Sequence, residues 1–96
     1  MYGTVARMRL KPGAEQQMKA LMAEYDGTKV PGFKGELIYR SDRDPDEYFM
    51  AVVFDSQEAY QANAASPEQH QRYLRYRELL TADPEWHDGQ VVFSSL

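Results

Sequence analysis

Seven consecutive apolar residues, Tyr48-Phe49-Met50-Ala51-Val52-Val53-Phe54, constrain the fold more than anything else in the chain. In a strand, successive side chains point to opposite faces. Tyr48, Met50, Val52 and Phe54 therefore share one face, and Phe49, Ala51 and Val53 share the other. A one-sided antiparallel sheet normally alternates apolar with polar residues. This run does not, so both of its faces ask for cover.

The segment before it, Phe33 to Arg40, alternates, with Phe33, Leu37 and Tyr39 in one phase and Lys34, Glu36, Ile38 and Arg40 in the other. The polar turn Ser41 to Asp46 is short enough to join the two as an antiparallel hairpin. Tyr2 to Leu10 also alternates and reads as a first strand. Pro12 then suits a first helical turn. Ala14, Met18, Leu21, Met22 and Tyr25 form a helical stripe that should end near Asp26-Gly27, with glycine as a left-handed cap. After the hairpin, Asp55 or Ser56 caps a helix carrying Ala59, Tyr60, Asn63 and Ala64. Ser66-Pro67 breaks it and starts another helix, expected to run to about Ala82. Trp86 to Ser95 is expected as the last strand, centred on Val91, Val92 and Phe93.

The fold class expected is α+β. It is a ferredoxin-like βαββαβ unit with a four-stranded antiparallel sheet, in which the second helix is broken in two. Right-handed crossovers put all helices on one face of that sheet. The other face would then expose Phe49, Ala51 and Val53, an apolar patch of a kind soluble monomers rarely carry. A second copy, most simply in a twofold homodimer, is the expected cover. The remaining reading is a small patch within ordinary surface variation.

Composition narrows the function classes. Ninety-six residues make a single domain, 1–96. With no cysteine there is no disulfide, thiolate metal site or cysteine nucleophile. A formal net charge of -4 argues against nucleic acid and membrane surfaces as partners. No run approaches the roughly 20 apolar residues of a membrane helix. The opening Met1-Tyr2-Gly3-Thr4 does not look like a signal peptide, so a cytoplasmic location is expected. Two distant histidines make a transition-metal site improbable, and Asp42, Asp44, Asp46 and Glu47 lack the glycine and glutamate spacing of a calcium loop.

Three segments carry a resemblance: Val5 to Gly13, Val30-Pro31-Gly32-Phe33, and Phe54-Asp55-Ser56-Gln57-Glu58-Ala59-Tyr60. Through them nearly the whole chain resembles the antibiotic biosynthesis monooxygenase family of dimeric α+β barrels. That resemblance implies a homodimer, and it leaves the reaction open, because the fold houses several activities. The heme-degrading branch fits poorly: where its asparagine, tryptophan and iron-ligating histidine stand, this chain has Ala6, Asn63 and Arg72. His70 lies two residues from the ligand position, about 200° around the helix. The cofactorless quinone-forming branch fits in part. Tyr60 matches its helix tyrosine, while Met50 and Phe54 stand where its asparagine and tryptophan would be. Such chemistry deprotonates a phenol-like substrate so that the substrate itself reduces oxygen, which requires a base or a stabiliser for the phenolate.

On the helix after Pro67, Tyr73 is flanked one turn on either side by His70 and Arg77. His70 is a candidate base and Arg77 a candidate anion holder. Tyr60 and Asn63, one turn apart, are candidates to reach between helices and sheet, and Met22 and Met50 to give an adaptable apolar wall. Each has a structural alternative: a half-exposed histidine, an arginine stem laid over apolar surface, a packed tyrosine with a wet hydroxyl. Trp86 and His87 are expected at a subunit interface. The reading is a cofactor-independent monooxygenase-like protein acting on a small aromatic or polyketide-like compound. His70 and Tyr60 would be catalytic, and Phe54, Tyr73, Arg77, Asn63, Met22 and Met50 would bind substrate, with no metal and no cofactor. The alternative is a ligand-binding or stress-associated dimer without turnover.

Overall fold

The computed structural model describes residues 1–26 and 28–95. Four strands and three helices follow in the order β1 (Tyr2–Arg9), α1 (Glu15–Asp26), β2 (Phe33–Arg40), β3 (Glu47–Phe54), α2 (Gln57–Ala64), α3 (Pro67–Arg77) and β4 (Glu85–Gln90). The sheet order is β2-β3-β1-β4, with every neighbouring pair antiparallel. This is the expected ferredoxin-like arrangement. Among the described residues no helix is long and apolar enough to cross a membrane.

The helices cover the face that carries Thr4, Ala6 and Met8 of β1 and Tyr48, Met50, Val52 and Phe54 of β3, all buried. Leu10, Ala14, Met18, Tyr76 and Leu80 complete the core. The Glu15 carboxylate anchors the start of α1, accepting from Tyr48 Oη at 2.8 Å and Arg40 Nη1 at 2.7 Å. Serine caps open the other two helices. Ser56 accepts from the Ala59 amide, and Ser66 from the Gln69 amide, with Pro67 leading α3.

Gly32 ties β2 to α2. Its φ is +77°, and a Cβ there would lie 2.6 Å from Ala59 Cβ, so the Pro31-Gly32 turn accepts no side chain. Its carbonyl accepts from the Asp55 amide at 2.7 Å. The hairpin turn is held by charge: Glu47, 2% exposed, accepts from Arg7 Nε at 2.6 Å and Arg43 Nη2 at 3.1 Å.

The structure corrects several expectations. Pro12 precedes helix α1, which begins at Glu15, and Gly13 at φ +81° makes the turn. The cap expected at Gly27 lies outside the described residues; the Tyr25 carbonyl is taken by the Thr28 amide and hydroxyl. Helix α3 stops at Arg77, not Ala82, because the chain turns to lay Leu80 beside Leu10. Strand β4 is Glu85–Gln90, not Trp86 to Ser95. Its ladder with β1 runs from Arg7 opposite Glu85 to Tyr2 opposite Gln90, and Val92 and Phe93 beyond it are 94% and 82% exposed.

A further correction concerns β2. Its register shifts between Phe33 and Gly35: Phe33 opposes Phe54 while Gly35 opposes Val53. Lys34 is thus an extra residue, a β-bulge. Phe33 joins the helix-facing side with Phe54, their ring centroids 5.6 Å apart, whereas Leu37 and Tyr39 face away. Tyr39 stacks on Phe49 on the uncovered face and is 56% exposed.

Candidate functional site

A cavity of about 700 Å³ lies between the helices and the sheet. Ligand pockets of roughly 300–1,000 Å³ are typical. Sheet residues form its floor: Thr4, Glu36, Met50, Val52, Phe54, Trp86 and Asp88. Met22 and Tyr25 come from α1, Tyr60 and Asn63 from α2, and His70, Tyr73 and Tyr76 from α3. Seven residues singled out from the sequence therefore meet here: Met22, Met50, Phe54, Tyr60, Asn63, His70 and Tyr73.

Arg77 does not. Because α3 ends at this residue, its guanidinium folds over the following turn, donating to the Leu80 carbonyl at 3.1 Å and to Asp83 Oδ1 at 2.8 Å. It ties down the turn after the helix and does not line the cavity.

Tyr60 packs its ring edge-on against Phe54, at 5.6 Å, and tilted against Tyr2, at 5.2 Å. Its hydroxyl donates to Asp88 Oδ1 at 2.9 Å. Burial, reinforced by that carboxylate, pushes its phenol up to about 12. Tyr60 therefore stays protonated at neutral pH and acts as a donor, never as a base. Beside it, the Thr4 hydroxyl is near enough to ease the phenol's ionisation slightly but lies outside hydrogen-bond geometry. Thr4 is 5% exposed, and its Oγ1 is the buried side-chain polar atom without a partner among the described residues. Buried polar groups are nearly always satisfied, so this one stands out. His70 is exposed at the rim. Asn63 Nδ2 donates to Tyr25 Oη at 3.4 Å, and Arg72 lies over the Tyr25 ring, 4.9 Å from its centroid. Tyr73 leans on Trp86, their centroids 6.4 Å apart.

Glu36 is the residue that sequence reasoning missed. Its alternation placed it with the polar phase of β2, but in the folded chain that phase, with Ile38, faces the helices. The register pairs Glu36 with Val52, in the cavity floor. Burial, and then the neighbouring Asp26, raise its carboxyl to about 7. Glu36 in turn raises the phenols of Tyr25 and Tyr76, which burial has already raised. Two signals were present in the sequence: Ile38 shares its phase, and Gly35 interrupts a strand, a mark of a bulge. A carboxyl that ionises near neutrality in an apolar cleft can take up or release a proton under ordinary conditions.

Residues 1–75 match the family model of the antibiotic biosynthesis monooxygenases. The chain belongs to that family. Solved structures of similar fold include a candidate antibiotic biosynthesis monooxygenase from Chloroflexus aurantiacus J-10-fl, 28% identical, with a TM-score of 0.77 over 97% of this chain and 94% of that one. SnoaB from Streptomyces nogalater, a cofactor-independent oxygenase solved as its N63A mutant, is 19% identical, with a TM-score of 0.81 over 98% and 95%. A candidate monooxygenase of the same family from Bordetella bronchiseptica is 20% identical, with a TM-score of 0.80 over 96% and 97%. Comparison with curated proteins gave no match. In this antibiotic biosynthesis monooxygenase domain the match covers β1 to most of α3, the elements that supply all of the cavity except Tyr76, Trp86 and Asp88.

Proposed function

We propose that the protein binds a small, planar aromatic or polyketide-like compound in this cavity and oxidises it with dioxygen, using neither metal nor organic cofactor. The observation that carries the reading is the cavity itself, about 700 Å³ and walled by Phe54, Tyr60 and Tyr73. Family membership and the fold shared with a cofactor-independent oxygenase support it. In the net reaction a substrate CH2 becomes C=O. One atom of O2 enters the product, and the other leaves as water with the two hydrogens. Electrons come from the substrate anion, so the protein must manage a proton and hold the ring. His70 at the mouth is placed to exchange that proton with solvent. The Tyr60 hydroxyl, whose one proton goes to Asp88, is left as an acceptor for a ligand hydroxyl. Phe54 and Tyr73 hold the ring, with Met22, Met50 and Asn63 as the adaptable wall.

The proposed assembly is a homodimer joined through the uncovered sheet face. Val5, Leu37 and Tyr39 are exposed there beside half-buried Phe49, Ala51 and Val53. Sedimentation should give a particle of twice 11.1 kDa. Leu37→Arg should shift it to the monomer, and a wild type sedimenting as a well-behaved monomer at micromolar concentration would refute the assembly.

A non-catalytic ligand-binding dimer is the second reading, favoured by Met50, which offers no hydrogen-bonding group. Oxygen uptake by metal-free protein with a panel of hydroquinones and anthrones separates the two. Uptake that falls in His70→Ala or Tyr60→Phe supports the enzyme. Absence of uptake with every compound, alongside measurable binding, supports the second reading.

A further inference from the structure

Four side chains stand in one row across the cavity floor. The strand registers pair Glu36 with Val52, Val52 with Thr4, and Thr4 with Asp88. All four line the cavity. Neighbouring strands lie about 4.8 Å apart, so Glu36 and Thr4 are separated by about 10 Å at the backbone, with apolar Val52 between them. Asp88 is engaged by Tyr60. The two unengaged polar groups of the row are thus a carboxyl at one end and the orphaned Thr4 hydroxyl nearer the other.

Among the described residues no cation pairs with Glu36. From α1, Lys19 pairs with Glu15, Glu24 pairs with Arg75, and Asp26 repels it. From α3, Arg72 is spent on the Tyr25 ring and Gln69, and Tyr76 donates to Met8 Sδ at 2.6 Å. His70 stands at the rim, and β3 presents only Met50, Val52 and Phe54. A half-buried carboxylate in an apolar cleft, without a cation, costs free energy unless something hydrogen-bonds to it.

We propose that the row Glu36–Val52–Thr4 recognises a flat fused-ring phenol by its two ends, the Glu36 carboxylate accepting the proton of a ring hydroxyl and the Thr4 hydroxyl bonding an oxygen on the far ring. This rests on the cavity being a ligand site and deepens that reading: it assigns a base other than His70 and a second polar anchor, Thr4, across the floor. The step is a proton transfer. The phenol O–H bond breaks, the proton passes to a Glu36 carboxylate oxygen, and the electron pair stays on the phenolate, which dioxygen can then oxidise. A carboxyl that ionises close to neutrality is matched to that exchange. Two fused rings with an oxygen on each suit a 10 Å row; a single ring would reach only one end.

Fluorescence titrations with β-naphthol, its methyl ether and 2,6-dihydroxynaphthalene test this. A phenol of ordinary acidity stays neutral up to about pH 9, so any pH dependence below that belongs to the protein. Wild-type affinity for β-naphthol should rise about tenfold between about pH 5.5 and 8.5, the difference between a neutral and a charge-assisted hydrogen bond. The methyl ether should bind without that slope, and so should β-naphthol to Glu36→Gln. His70→Ala should keep the slope. The second hydroxyl of 2,6-dihydroxynaphthalene should add about fivefold in the wild type, and Thr4→Val, which preserves shape, should abolish that gain alone. A flat wild-type profile, a slope that survives in Glu36→Gln, or a slope lost in His70→Ala would overturn the assignment while leaving the cavity as a binding site. Failure of all three probes to bind would refute the cavity reading and this proposal with it.

Discussion

Glu36→Gln should stabilise the protein, and only above acid pH. The folded chain holds this carboxyl at about 7 against an ordinary value of 4.5. Below 4.5 the group is protonated in both folded and unfolded chains and contributes no difference. As pH rises from there, the unfolded chain releases the proton while the folded chain keeps it. The folded state binds more protons, so stability falls with pH, by about 1.4 kcal/mol for each pH unit. Above about 7 both states are ionised, and the accumulated loss levels off at no more than about 3 kcal/mol. Small domains unfold with only about 5–15 kcal/mol, so this is a large share. Glutamine carries the same shape and no charge. Urea unfolding of both proteins, at equal concentration so that association cancels, should give equal stabilities near pH 4.5 and a gap opening to as much as about 3 kcal/mol at pH 8. Parallel stability curves across that range would show that Glu36 is ordinarily solvated and that its placement in the cavity floor is wrong.

Glu47 should show the opposite sign. Hydrogen bonds from Arg7 and then Arg43 hold its carboxyl below the usual 4.5, so its stabilisation is complete above that pH and lost as acid protonates it; Glu47→Gln should flatten the acid limb of a stability profile below pH 4.5. Phe54→Ala removes a buried ring that touches Phe33 and Tyr60, and should cost about 3–5 kcal/mol in chemical denaturation while enlarging the cavity. Gly32→Ala puts a Cβ 2.6 Å from Ala59 on a backbone at φ +77°, and should lower stability by more than about 1 kcal/mol; replacing Gly13, whose Cβ would meet open space, should cost less.

Much of the fold was legible because alternation and helical spacing are local. The stripe Ala14, Met18, Leu21, Met22 and Tyr25 needed no tertiary information, and neither did the serine caps at Ser56 and Ser66. The cavity wall was legible for the same reason: Phe54, Tyr60, His70 and Tyr73 lie on elements whose inward face can be counted from the chain. What failed depends on partners distant in sequence. Val91, Val92 and Phe93 have strong strand character, but beyond the Val91 amide, which donates to the Met1 carbonyl, the ladder with β1 stops. Arg77 was placed by extending a helix that the Leu10–Leu80 bridge cuts short. Glu36 and Thr4 acquire their relation only when three strands align, and no spacing along the chain encodes that row.

Lys34 is the odd residue in β2, where strict alternation would send Phe33 and Glu36, three apart, to opposite sides. One inserted amino acid lets an aromatic and an acid share a surface. Deleting that codon would leave Phe33 opposite Phe54 and Glu36 opposite Val52 in plain alternation, both still facing the helices, and would remove only the bulge and the Lys34–Asp55 ion pair. An extra residue in this strand therefore keeps the acid inside only because a bulge absorbs it; an insertion taken up without one would turn the carboxyl outward while every residue that meets the ligand stayed the same.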